Sequence, residues 1–209
     1  MFNYDNQNGW PNKLGHYQSP IDLSSTDSIN YDDNLAISSD MYYQLTEEIN
    51  DGNTIRLLGH GNAKIFNRKF TFQQLHFHLP SEHTIDGKTH PLEIHLVHTN
   101  EIGQTVVVAI MVNKGNSNPD IQSIINHFNN NVEQPVNIST NQWIPSLAKG
   151  FHYLGSLTTP PLTEGVEWLV ITNAAITVSE SQLQWFHNNF KHNNRKTQPL
   201  FERKVELYK

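Results

Sequence analysis

Two histidines separated by a single residue, His76 and His78, are the first feature of this sequence that indicates chemistry. Side chains at positions i and i+2 of a β-strand lie on the same face, so the two imidazoles project together, with Gln74 beside them. Such a pair forms a natural bidentate clamp for a metal ion. A pair of this kind is also often incidental, so a metal site requires a third ligand from another part of the chain.

A second β-type run, residues 92–99, contains the best candidate for that third ligand, His95. Glu93, His95 and Val97 share one face of this strand, and antiparallel pairing with the first strand would bring His95 opposite the two other histidines. Three neutral imidazoles and a water molecule form a catalytic zinc site, because closed structural sites use four protein ligands. His98 lies on the opposite face and is therefore interpreted as a core histidine.

Acceptors for the remaining ring nitrogens are also present. A ligating imidazole usually donates its second N–H to a carboxylate, a carbonyl or water. Gln74 and Glu93 stand two residues before His76 and His95, so we expect them to orient these two rings. The chain has no cysteine, which excludes thiolate ligands, cysteine nucleophiles and disulfides.

A second segment of interest, residues 155–162, contains Thr158 and Thr159 followed by two prolines. The prolines favour a rigid, non-helical loop. This loop is either a simple turn or a device that fixes two hydroxyls and backbone N–H groups near the metal.

The elements that must position these residues are mostly short β-type runs separated by turn residues. Helical signals are few: Asn118 precedes one run with helical spacing, and Ser179 begins a sequence resembling a capping box. A length of 209 residues fits one domain, residues 1–209. The sequence therefore predicts a mainly β single domain with short peripheral helices.

Composition excludes several classes of function. The net charge is −6 and no basic stripe with interleaved aromatics is present, so we expect no nucleic-acid partner. No apolar run approaches the ~20 residues of a membrane span, so we expect no membrane partner. The first residues show no signal-peptide pattern, which favours a cytoplasmic location, although a cleaved signal replaced by methionine would look the same.

Taken together, the spaced motifs resemble the alpha-class carbonic anhydrases, bacterial members in particular, over nearly the full length of the chain. The matching segments are, in chain order, Gln18-Ser19-Pro20-Ile21-Asp22, His76-Phe77-His78, Ser81-Glu82-His83-Thr84, Glu93-Ile94-His95-Leu96-Val97-His98, Gly155-Ser156-Leu157-Thr158-Thr159-Pro160-Pro161, Trp168 and Gln198-Pro199-Leu200. The resemblance implies a large, twisted, mostly antiparallel sheet with a conical cleft and zinc at its base.

The resemblance also implies roles in the reversible hydration of carbon dioxide to bicarbonate. Thr158 and Glu82 would orient a zinc-bound hydroxide for attack on carbon dioxide, and Tyr4 would lie over the cleft. Zinc lowers the pKa of its bound water from ~15.7 to ~7, as is established for carbonic anhydrases. Carbon dioxide would be received by an apolar wall with Thr159 beside it. The term apolar wall refers to Val97, Val107, Leu157, Val166 and Trp168.

Some features depart from the family pattern. Leu79-Pro80 forms a short loop typical of bacterial members, many of which carry a cysteine pair that is missing here. Asn62 stands where the family usually has its proton-shuttle histidine. His60, two residues earlier, is our candidate for the relay, and a surface histidine in a glycine-flanked turn is the open alternative.

Two other functions compete with this hypothesis. One is a binding module that keeps the fold without the zinc site, and a zinc assay separates it from an enzyme. The other is a zinc esterase, which we expect only as a side activity. Because bacterial relatives are often dimers, a homodimer is a possible assembly.

Overall fold

The computed structural model describes residues 2–10, 15–39, 43–129, 133–140 and 143–209. Met1, one of the first residues considered above for a signal-peptide pattern, lies outside them. The strands of these described residues are β1 (Asp22–Leu23), β2 (Ile29–Tyr31), β3 (Ile37–Ser39), β4 (Tyr43–Asn50), β5 (Ile55–His60), β6 (Asn62–Ile65), β7 (Arg68–His78), β8 (Thr84–Ile85), β9 (Leu92–Thr99), β10 (Thr105–Lys114), β11 (Gln134–Thr140), β12 (Gly150–Ser156), β13 (Glu164–Ile171), β14 (Thr177–Val178) and β15 (Glu206–Tyr208).

Most of these strands form one large mixed sheet, in which the order is β11-β4-β5-β7-β9-β10-β13-β12-β15-β2. Pairing is antiparallel from β11 through to β10, whereas β10 and β13 run parallel. The mainly β fold predicted from the sequence is thus confirmed. The central strands β7 and β9, which carry the candidate ligands, are paired on both sides and therefore hold their side chains rigidly.

Short helices lie at the periphery, as predicted. A 3-10 helix spans Tyr4–Gly9, α1 spans Pro119–His127 and α2 spans Glu180–Asn189. Asn118 caps α1 by accepting a hydrogen bond from the Ile121 N–H. Ser179 begins α2 with a complete capping box. No helix in the described part of the chain is long and apolar enough to cross a membrane.

The sheet packs on both faces. One face, which includes Leu75, Phe77 and Leu96, belongs to the large core under α1 and α2. The other face belongs to a smaller apolar cluster, which includes Val107 and Trp168 and draws its residues mainly from β1, β10, β12, β13 and β15. This division follows from alternation, because neighbouring residues in a strand point to opposite faces. The candidate ligands lie on the second face.

Candidate metal centre

Strand pairing brings the three predicted ligands together. In the β7–β9 pair, His76 lies directly opposite His95, and His78 lies opposite Glu93. The ring centroids are 5.0 Å apart for His76 and His78, 5.2 Å for His76 and His95, and 4.4 Å for His78 and His95. One nitrogen of each ring lies within 4.8 Å of the corresponding atoms of the other two. This is a compact set of three imidazole donors.

The second nitrogen of each ring is held by an acceptor. His76 Nδ1 donates to Gln74 Oε1 at 2.9 Å, and His95 Nε2 donates to Glu93 Oε1 at 2.7 Å. Both acceptors are the ones predicted from the sequence. His78 Nδ1 donates to the backbone carbonyl of Asn193 at 2.8 Å. Because all three partners act as acceptors, the protonated nitrogens are fixed, and the free lone pairs are His76 Nε2, His78 Nε2 and His95 Nδ1.

The charge state of the rings also fits a metal. Burial is the largest cause that lowers the pKa of all three histidines, and their mutual repulsion lowers the pKa of His76 and His95 further. Neutral rings offer lone pairs to a cation. His78 Nε2 is buried and has no hydrogen-bond partner among the described residues, an arrangement that a metal ion would satisfy. Three nitrogen donors with fixed tautomers match the ligand set of an open zinc site.

Glu93 connects the candidate ligand His95 to a fourth histidine, His83. Its Oε1 accepts from both His95 and His83 at 2.7 Å, and its Oε2 accepts the backbone N–H groups of Glu82 and His83 at 2.8 Å. Burial alone would raise the pKa of Glu93, but the two rings hold it well below its usual range. His83 in turn contacts the Tyr153 hydroxyl at 2.6 Å. The position of His95 is therefore fixed by a buried chain of hydrogen bonds.

Glu82 and Thr158, the predicted orienting pair, are both buried beside the histidines. Burial, the largest cause, raises the pKa of Glu82 to about 7, whereas the nearby Thr158 hydroxyl acts to lower it. The two side chains are neighbours, but their arrangement falls short of a well-formed hydrogen bond, and Glu82 Oε2 has no such partner among the described residues. Oε2 is therefore available to accept a hydrogen bond.

Two residues that the sequence did not identify, Asn193 and Arg195, support this arrangement. The Asn193 side chain accepts from the Leu79 N–H at 2.8 Å and donates to the Phe77 carbonyl at 2.7 Å, so it fixes the end of β7. The Arg195 N–H donates to Glu82 Oε1 at 2.7 Å. Their segment forms neither a regular strand nor a recognisable ligand spacing, so sequence patterns contain no signal for this role.

The apolar wall is assembled on the same face. Val107 pairs with Val97 in the β9–β10 ladder and with Trp168 in the β10–β13 ladder. All five wall residues belong to, or pack against, one apolar cluster. The Trp168 ring lies 4.9 Å from the His95 ring, measured between centroids. Val97 and Leu157 are half-buried, and the other three are nearly fully buried, so the exposed part of the wall is small.

The Thr158–Thr159 loop is held close to the site by its surroundings. The Trp168 indole N–H donates to the Ser156 carbonyl at 3.0 Å, and the Leu162 N–H closes a turn on the Thr159 carbonyl at 2.9 Å. Thr159 is half-buried at this turn. The loop therefore has a defined conformation, whether its role is structural or catalytic.

The residues predicted at the cleft entrance differ in burial. Tyr4 is buried, and its pKa is raised by burial and by the carboxylates of Glu82 and Asp51. His60 is exposed at the end of β5, and Asn62 is exposed at the start of β6. Gly61, with φ 155°, separates the two strands, so regular alternation does not carry from one residue to the other. The role of His60 stays a prediction.

Comparison with known proteins shows which family this chain resembles. The family model described as eukaryotic-type carbonic anhydrase matches residues 5–209. A carbonic anhydrase from Pectobacterium carotovorum is 37% identical, over 90% of this chain and 78% of the relative. A carbonic anhydrase from Nostoc sp. is 36% identical, over 92% of this chain and 76% of the relative.

Solved structures agree with the sequence comparison. The alpha-carbonic anhydrase of Thermovibrio ammonificans, in complex with the inhibitor sulfanilamide, has a TM-score of 0.85 and 33% identity, covering 93% of this chain and 88% of that one. Dioscorin complexed with ascorbate has a TM-score of 0.82 and 27% identity, covering 93% and 87%. The family model and the curated relatives span nearly the whole chain, and this protein therefore belongs to the eukaryotic-type, or alpha, carbonic anhydrase family.

Proposed function

We propose that this enzyme catalyses the zinc-dependent, reversible hydration of carbon dioxide to bicarbonate and a proton. The observation that carries the proposal is the convergence of three neutral imidazole nitrogens, including the unpartnered Nε2 of His78. His76, His78 and His95 would hold the zinc ion. When bound, zinc lowers the pKa of a coordinated water to about 7, as is established for carbonic anhydrases, and so supplies a nucleophile at neutral pH.

Gln74, Glu93 and the Asn193 carbonyl keep the three rings in the required tautomers. Each takes the N–H of one imidazole, so the opposite nitrogen faces the metal as a lone pair. Loss of such a partner commonly reduces metal affinity 10- to 100-fold, on the order seen for similar sites. These three groups therefore act through the ligands and do not touch the substrate.

Thr158 and Glu82 would orient the reacting water. If the Thr158 hydroxyl donates to an ionised Glu82, its oxygen has only lone pairs left and must accept the hydrogen bond of the water. This aims a lone pair of the water at the apolar wall. The pKa of Glu82, about 7 without a metal, supports ionisation in the loaded enzyme, because a nearby dication favours a carboxylate.

The apolar wall suits a substrate that is small and nonpolar. Carbon dioxide has no charged group for the protein to bind, so weak apolar contacts to Val97, Leu157 and their neighbours would hold it loosely. Bicarbonate is charged and is poorly accommodated by such a surface, so it would leave. Exposed His60 would relay the released proton to solvent, because histidine changes charge near neutral pH.

Zinc content and carbon dioxide hydration, measured on the same preparations, test this proposal. The parent should bind one zinc per chain and hydrate carbon dioxide, and His78→Gln should lose zinc affinity by at least roughly tenfold. His187→Gln, at an exposed position on α2, is the matched control and should retain both properties. A reconstituted parent that binds no zinc and hydrates no carbon dioxide would instead favour a binding module.

A further inference from the structure

Arg56 lies beside the candidate metal centre in the sheet. In the β5–β7 pair it is directly opposite His76, and His76 is in turn opposite His95 in the β7–β9 pair. Residues directly opposite each other in an antiparallel pair share a face and have neighbouring Cβ atoms. The guanidinium side chain therefore starts from the ligand face, one strand away from His76.

The Arg56 guanidinium is unpartnered in the described structure. Its Nε is buried without a hydrogen-bond partner, and the group forms no ion pair with any described carboxylate. The other three arginines are all satisfied. Arg68 binds Glu167 through two bonds of 2.8 and 2.6 Å, Arg195 donates to Gln18 and Ser19, and Arg203 donates to three backbone carbonyls.

An uncompensated guanidinium at this position has a defined electrostatic consequence. Arginine stays protonated in proteins, so the charge is permanent. This charge belongs beside the site, because Arg56 is paired directly with the candidate ligand His76 and starts on the same face of the sheet. A fixed positive charge near the site repels a second cation and attracts an anion. The reaction of this family has one small anion, bicarbonate.

We propose that Arg56 is a specificity-determining residue of the cleft, which strengthens the binding of bicarbonate and other small monovalent anions at the metal centre while weakening the binding of the metal itself. This inference rests on the proposed function, since it requires zinc at the three histidines. It differs from a purely structural role because its two effects have opposite signs. A side chain that merely supports β5 would affect metal and anion binding in the same direction.

Arg56→Gln tests the proposal, with two binding measurements. Zinc affinity is measured by competition with a chelator, and anion affinity by titrating the cobalt-substituted protein with thiocyanate and following its visible spectrum. We expect zinc affinity to rise and thiocyanate affinity to fall, each by roughly three- to tenfold. The KM for bicarbonate in the dehydration direction should rise with the loss of anion affinity.

Two further variants control for charge and for position. Arg56→Lys keeps the charge and should stay within about twofold of the parent in both measurements. Lys69→Gln removes the same charge from an exposed site seven residues before His76 in β7, roughly 23 Å along the strand, and should change neither.

The outcomes separate the alternatives. Loss of both zinc and thiocyanate affinity in Arg56→Gln would overturn the proposal in favour of a structural role. Unchanged zinc and thiocyanate affinities would also overturn it, because the charge would then have no electrostatic effect at the site. Failure of the proposed function has a different signature. In that case the parent itself binds no zinc or hydrates no carbon dioxide, whatever residue stands at position 56.

Discussion

Two clusters of histidine and carboxylate lie on opposite faces of the same sheet and use their rings in opposite ways. On the face that carries the candidate metal ligands, here called the cleft face, His76, His78 and His95 each have one nitrogen bonded to an acceptor and one nitrogen free. On the other face, His152 has both nitrogens bonded to carboxylates, with Nδ1 2.8 Å from Glu206 and Nε2 2.9 Å from Glu167.

The difference shows that the number of acceptors around a buried ring decides its charge. Burial is the largest influence on all four histidines and favours the neutral form. At His152 the two carboxylates outweigh burial and raise its pKa, which favours a cationic ring that joins β12 to β13 and β15. At the cleft no ring has two acceptors, and the rings stay neutral, which a metal ligand requires.

The largest expected effect comes from filling the cleft face. Val97→Tyr should reduce carbon dioxide hydration by at least roughly 10²-fold, because the ring would occupy the space in front of the apolar wall. Zinc content should be unchanged, since Val97 is not a ligand. Leu154→Tyr, at an exposed position of β12, adds the same bulk elsewhere and should retain activity. Full activity of both variants would show that the substrate approaches from another side.

Removal of the orienting hydroxyl should have the next largest effect. Thr158→Ala is expected to lower turnover by on the order of 10²-fold, as loss of a positioned catalytic hydrogen bond commonly does. Zinc content should not change. Thr158→Ser keeps the hydroxyl and should recover much of the rate, and Thr163→Ala in the same loop serves as the control. Turnover of Thr158→Ala equal to that of the parent would remove the residue from the mechanism.

The cluster on the opposite face should respond in stability and not in activity. His152→Gln is expected to lower the free energy of unfolding by about 2 kcal/mol at pH 6, the magnitude of hydrogen bonds to charged groups. Because the folded pKa of His152 is raised, its contribution is complete below the unfolded pKa of ~6.5 and is lost as the pH rises through the folded pKa.

Urea unfolding of parent and His152→Gln at pH 6 and pH 9 measures this. The difference between the two proteins should shrink at pH 9, while carbon dioxide hydration stays equal throughout. A difference that grows with pH would mean that His152 is neutral, and the contrast between the two faces would then fail.

The smallest expected effect concerns His60, whose exposed side chain forms no hydrogen bond with the described residues. If it relays protons, His60→Ala should lower turnover severalfold in dilute buffer, because water and the sparse buffer must then carry the proton. Added imidazole should restore the rate, and concentrated buffer should hide the defect. Equal rates of variant and parent in dilute buffer would assign the relay to another group or to buffer alone.

Local patterns predicted the central elements well, because these elements are regular. The β9 run was predicted with its observed bounds, Leu92–Thr99, and both helix starts follow from their caps. Strand β12 was not predicted, since two glycines and a histidine are atypical of a strand. Gly155 is required there because Ser19 Oγ would lie 2.1 Å from a Cβ, a contact that arises only in the packed fold.

The sequence by itself determined which side chains meet at the cleft face. Alternation in β7 and β9 places His76, His78 and His95 on one side and His98 on the other, where its Nε2 bonds the Tyr43 hydroxyl in the core. Alternation is a local property of the extended backbone, so the spacing of residues along the chain is enough to reveal it.

Only the tertiary structure decided which hydrogen-bond partners hold the ligands and Glu82 in place. His78 Nδ1 donates to the carbonyl of Asn193, 115 residues away, and Glu82 Oε1 accepts from the N–H of Arg195, 113 residues away. The unpartnered state of Arg56 is equally invisible in the sequence, since it depends on which carboxylates the fold brings near. Hydrogen-bond partners are chosen by packing between distant segments, and no local pattern of residues records that choice.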